Sequence, residues 1–125
     1  MKALKIIFSM IALALVMGGC AYSFFPEEPE VPDTTDPDTA EPVSFAATIA
    51  PVFEAKCTRC HDAGRAPDLT AGNAYSSINR ARYINSDDPE SSLIYTKPLA
   101  SHGATYSPTE AANLLLWIKQ GANDN

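Results

Sequence analysis

The sequence predicts a small all-α domain with long loops, and three observations carry that expectation. The segment "SPTEAANLLLWIKQGA" combines a capping signature, apolar residues at helical spacing and a terminating glycine. The segment "SFAATIAPVFEAKC" repeats large apolar residues at the same period after a serine. No run alternates apolar and polar residues for long enough to build a sheet.

In chain order, residues 1–19 read as an export signal. Lys2 and Lys5 precede the apolar "IIFSMIALALVM", and the small pair Gly18-Gly19 stands before Cys20. The apolar run falls short of the roughly 20 residues a membrane span needs. "MGGC" resembles the lipobox of bacterial lipoproteins, with Met17 where that family most often has Leu. That resemblance implies cleavage before Cys20 and its lipidation; ordinary cleavage, leaving a spare thiol, is the competing reading. A lone exposed thiol would be a liability in an oxidising compartment, which favours the lipid anchor. A diacylated and N-acylated cysteine would exceed the two lipid signals that stable anchoring requires.

Residues 20–43 follow as the lipidated Cys and an acidic, Pro-rich linker. Within 21–43 lie seven acids, five of the chain's ten prolines and neither Lys nor Arg. Such a composition cannot bury enough apolar surface to offset its ordering entropy, so a disordered, extended spacer is expected. At about 3.1 Å per residue it would reach roughly 70 Å. The whole chain carries a net charge of −6. From Ser44 onward seven basic residues face eight acids, so the folded part is nearly neutral. That balance gives neither a nucleic-acid footprint nor a basic membrane patch.

Residues 44–125 form the expected folded domain. At about 80 residues, burial alone yields only a few kcal/mol, and domains of this size usually recruit a staple, a metal or a cofactor. Its first helix should place Phe45, Ile49, Val52 and Phe53 on one face after a Ser44 cap. Pro51 should either kink it or start a second turn. Shorter helices are expected at about 71–80, after Thr70, and at about 89–96, with Pro89 at its start. The last should run over 108–120, capped by Ser107 with Glu110 three residues on and stopped by Gly121. Ala111, Leu114, Leu115 and Ile118 form its apolar face, with Trp117 at the margin.

Between the first two helices lies "KCTRCHDAG". Its "CTRCH" fits the c-type haem attachment pattern. Two thiols separated by two residues can each add to one vinyl group on the same haem edge. The next residue can then turn its imidazole under the iron. Cys57 and Cys60 would form the thioethers and His61 the proximal iron bond. Two other readings of the pair stay open, a redox disulfide and half of a zinc site. Zinc needs about four good ligands, and besides this cluster the folded part has only His102. A thioredoxin-like pair would come with strand-helix alternation, which is missing. No Ser/His/Asp or phosphate-loop pattern is present.

Taken together, "PVFEAKCTRCH" and "SPTEAANLLLWIKQGA" resemble the single-haem class I cytochrome c domain. The likeness is to its small bacterial lipoprotein versions, which commonly open on P-I/V-F before C-x-x-C-H and close on W-I-x-x-G-A. The resemblance spans about residues 44–125 and implies a helical fold wrapped around one covalent haem c. The first and last helices would cross, bringing Phe45, Ile49 and Phe53 against Leu114, Leu115 and Ile118. It also implies that the carbonyl of Pro67 accepts the bond from the proximal imidazole.

The chain departs from that family in its distal ligand. The family's usual methionine is absent, because Met1, Met10 and Met17 are the only methionines and all lie in the signal. His102, in the loop before the last helix, is the expected substitute; an open or water-bound iron, or Lys97, Tyr95 or Tyr106, are the alternatives. The resulting expectation is an extracytoplasmic, membrane-anchored lipoprotein carrying single electrons between redox partner proteins through a low-potential bis-His haem. It is an electron-transfer protein rather than an enzyme, with the outer membrane favoured over the inner one by Ala21. An open-site haem protein for peroxide, nitric oxide or carbon monoxide is the alternative, followed by a haem-free, disulfide-stabilised binding module.

Overall fold

The structure is a computed structural model, and it describes residues 30–125. The expected signal segment and the lipidation residue Cys20 lie outside the described residues. Among the described residues there is no strand. No helix among them is long and apolar enough to cross a membrane.

The first helical stretch opens as a π-helical turn, Phe45–Ile49, and continues as α1, Ala50–Lys56. Ser44 caps it as expected, its hydroxyl accepting from the Ala47 N–H at 3.1 Å. The change of ladder falls at Pro51, in the first turn of α1. Its ring nitrogen has no hydrogen to give back to Ala47, and the Ala50 N–H reaches Phe45 O instead. The proline is thus absorbed by a wide turn.

α2 is Ala74–Ile78, shorter than the helix expected over 71–80. Asp68 explains the late start: its carboxylate accepts from the Thr70 N–H at 3.0 Å and from the Thr70 hydroxyl at 2.6 Å. The backbone is thereby held in a turn that passes through Gly72 at φ +81°. The helix expected over 89–96 is split into a 3-10 turn, Pro89–Ser91, and α3, Leu93–Leu99. Ser92 makes the break. It is buried, with ψ 131°, and its hydroxyl accepts from the Asn85 N–H at 3.0 Å.

α4, Pro108–Lys119, has the predicted capping box. The Glu110 N–H donates to Ser107 Oγ at 3.2 Å, while the Ser107 N–H donates to the Glu110 carboxylate at 2.6 Å. Gly121, at φ +100°, ends it. Phe45, Ile49 and Phe53 share a buried core with Leu114, Trp117 and Ile118. Phe45 sits at its centre, with ring centroids 5.3 Å from both Trp117 and Tyr75. Leu115 is buried but lies outside that cluster.

Of the spacer expected over 20–43, the structure describes residues 30–43. Residues 34–43 lie along α4 as a strap. Lys119 Nζ donates to Thr34 O at 3.0 Å, and Gln120 Nε2 donates to Pro37 O at 3.3 Å and to Glu41 O at 3.1 Å. Gln120 Oε1 accepts from the Val43 N–H at 2.9 Å. A Pro-rich segment makes few hydrogen bonds of its own, so its carbonyls are free to be gathered by one amide side chain. Under the strap Leu116, on the helix face away from the core, is only 2% exposed. A Gln120→Ala variant is expected to release the strap and leave the rest folded. Limited proteolysis should then cut within 34–43 several times faster than in the parent, and equal rates would show that Gln120 holds nothing.

Candidate haem site

α1 ends at the cysteine cluster. The Cys57 N–H donates to Phe53 O, and the Thr58 hydroxyl donates to Glu54 O at 2.7 Å. The chain then turns tightly, with the N–H groups of Cys60 and His61 both donating to Cys57 O, at 3.1 and 2.9 Å. Leu69 N–H in turn donates to His61 O at 2.9 Å, so the histidine backbone is held from both sides. Cys57 and Cys60 are free thiols. Cys57 is half-buried in the wall of a cleft; Cys60 is exposed and lies outside that lining. Burial pushes the Cys57 thiol up, opposed by Lys56 and reinforced by Glu110.

His61 turns its ring toward this cleft. Its Nδ1 is 3.2 Å from the carbonyl of the buried Pro67. A carbonyl only accepts, so Nδ1 carries the proton and Nε2 presents its lone pair. That nitrogen points at another: His61 Nε2 and His102 Nε2 are 3.4 Å apart across 41 residues of chain. The ring centres are 5.7 Å apart. The excess over the nitrogen separation is about the width of one imidazole, so the rings meet end to end rather than stacked. The structure therefore brings together Cys57, His61 and His102.

The cleft has a cavity volume of about 180 Å³ and is open to solvent on one side. One wall is α3, whose Leu93, Ile94, Lys97 and Pro98 recur at helical spacing. Leu69, Tyr83 and Tyr106 also line the cleft, the last two hydrogen-bonded to Ile94 of α3. Tyr106 donates its hydroxyl to Ile94 O at 3.0 Å, and burial, reinforced by Cys57 and Glu110, pushes its ionisation far up. It is a neutral wall residue whose proton is already engaged. Tyr95 packs against the core, and Lys97 is exposed at the cleft. Trp117 is buried in the helix core and does not line the cleft.

The α3 wall was within reach of the sequence, since the 93/94/97/98 spacing is that of one helix face. Tyr83 and Leu69, on irregular segments, give no such signal.

The donor set is specific about what it can hold. Nitrogen–metal bonds of about 2.0–2.1 Å would place two opposed nitrogens about 4.0–4.2 Å apart, so the observed pair would have to open by about 0.6–0.8 Å to take a metal between them. Among the described residues no three His, Cys, Asp or Glu form a group that could hold a metal ion. Two end-to-end imidazoles beside an apolar cleft supply two nitrogen donors, fewer than the roughly four ligands a zinc ion needs.

Comparison of the chain with protein-family models, with curated proteins and with solved structures finds no match. The functional reading therefore stands on the residues and their geometry.

Proposed function

We propose that the chain is a membrane-tethered monohaem c-type cytochrome that passes single electrons between extracytoplasmic redox partners. The observation that carries this reading is the end-to-end meeting of His61 and His102 at the cleft beside Cys57. The fold would be a small class I cytochrome c-like domain over 44–125. Cys20 would be its lipid anchor, in the outer membrane more readily than the inner. When bound, haem c supplies the one-electron iron couple.

The chain's own residues have separable tasks. Cys57 and Cys60 would hold the haem edge through thioethers formed by addition of each S–H across a vinyl double bond. His61, kept in one tautomer by Pro67, offers Nε2 as the proximal donor, and His102 offers its Nε2 from the opposite side. Two imidazoles in place of an imidazole and a thioether favour the oxidised state, so the potential should lie below that of His/Met cytochromes. Leu93, Ile94 and Pro98 present an apolar face beside the site, against which a haem ring would pack.

The test is attachment itself. The chain would be expressed with its export signal in a host that attaches haem outside the cytoplasm, then denatured and stained for covalent haem. One haem per chain is expected, with complete loss in a Cys57→Ala/Cys60→Ala double variant. Folded protein with no covalent haem would sink the proposal.

A further inference from the structure

Resting on the haem reading above, we propose that the position of His102 is an exchangeable coordination site that admits a small uncharged donor such as carbon monoxide, with the loop carrying His102 acting as its flap. The two histidines are held very differently. His61 has three hydrogen bonds: its N–H to Cys57 O, its carbonyl from Leu69 N–H, and its Nδ1–H to Pro67 O. His102 is exposed, and the only polar contact its side chain makes among the described residues is with His61.

The flap is fastened at its ends and unheld between them. On one side the Ala100 N–H donates to Lys97 O at 3.1 Å. On the other, Lys56 Nζ donates to Thr105 O at 3.2 Å, and the Tyr106 hydroxyl fixes its residue to α3. Lys56 is itself fixed by an ion pair with Glu110. Between these anchors, the N–H groups of residues 101–104 make no backbone hydrogen bond among the described residues. His102 is flanked by two left-handed residues, Ser101 at φ +65° and Gly103 at φ +87°. Few backbone bonds and high exposure mark a segment that opens at low free energy. A second groove, which shares Pro98 and His102 with the cleft, is lined by residues 98–99 and 101–105 and leaves room for it to move.

In the exchange, the donor bond from His102 Nε2 breaks and one from the incoming ligand forms; no electron or proton is transferred. Ile94 and Pro98 beside the flap give an uncharged ligand an apolar surface to pack on, while Arg82 and Lys97 line the same cleft. The site would thus serve two states, closed for electron transfer and open for a ligand.

Two glycines make a matched test. Gly103 and Gly72 have nearly the same backbone, φ +87° and +81°, and an added Cβ would meet nothing within 4 Å at either. Alanine therefore strains both equally, but only Gly103→Ala strains the flap. With haem-loaded protein, carbon monoxide binding to the reduced parent should level off at a rate set by flap opening. Gly103→Ala should raise that rate about fivefold or more, and Gly72→Ala should leave it unchanged. A second readout needs no haem: diethyl pyrocarbonate should modify His102 faster than His61 in the apoprotein, and Gly103→Ala should accelerate His102 alone. A haem-loaded parent that binds no carbon monoxide, equal effects of the two alanines, or equal modification of the two histidines would overturn the proposal. Absence of covalent haem would instead remove the haem reading, and the ligand site with it, whatever the flap does.

Discussion

On the proposed haem reading, a His102→Ala variant is expected to attach haem as the parent does and to lose the low-spin spectrum almost completely. His102 is exposed and its side chain has no polar partner other than His61, so the substitution should alter stability by no more than about 0.5 kcal/mol. The whole effect should fall on the site. Cys57, Cys60 and the Pro67-oriented His61 lie on the other side and stay intact, so attachment is preserved. What changes is the opposing nitrogen; the chain has no methionine beyond Met1, Met10 and Met17 to replace it, and Lys97 is the amine at the cleft. Tyr106 is engaged with Ile94 O. Optical and low-temperature EPR spectra of parent and variant check this. A parent that is already high-spin would shift the reading toward an open site for ligand binding or catalysis, and a variant that stays low-spin would show that another residue fills the position.

Trp117→Ala should produce the largest loss of stability. The side chain is 1% exposed, lies 5.3 Å from the Phe45 ring and donates its indole N–H to Asn123 O at 2.9 Å. Removing it opens a cavity between the last helix and the π-helical turn, at a cost of about 3–5 kcal/mol, and strands an acceptor as well. Domains of this size have only about 5–15 kcal/mol in total, mostly at the lower end. Chemical denaturation should show the midpoint falling steeply, with the haem-free variant near the edge of folding. Because Trp117 does not line the cleft, any folded haem-loaded fraction should retain the parent's spectrum. A loss below about 1 kcal/mol would mean the core is held elsewhere.

How much of this was legible depended on how local each cue was. α4 falls within one residue of expectation because Ser107, Pro108, Glu110 and Gly121 specify it from within their own segment. His102 was singled out through the resemblance, because the family's usual methionine is missing, and the structure puts its Nε2 3.4 Å from that of His61. The middle was harder. The helix at 89–96 fails at Ser92 because that residue is bonded to Asn85, a partner no periodicity encodes. The one at 71–80 starts late because Asp68 captures Thr70. The strap was hidden for a different reason: composition says that an acidic, Pro-rich segment cannot fold alone, and is silent on whether it can lie on something else. The clue stood on the other partner. Leu114 to Ile118 are five consecutive apolar residues, wider than one buried face requires, and Leu116 is the one the strap covers.

The strap also sets the length of the leash. With residues 34–43 laid along α4, only 21–33 remain between Cys20 and the first fastening at Thr34. Even fully extended, thirteen residues span at most about 45 Å. With Cys20 as the lipid anchor, the haem domain would then patrol a thin shell next to the bilayer rather than a deep one, and the volume it samples, which scales as the cube of the reach, contracts several-fold. Confinement of that kind raises the local concentration of the domain toward partners sitting in the same membrane and lowers it toward anything farther out. Gln120, some distance in sequence from the cysteine cluster, would in this way help decide which proteins the tethered domain meets.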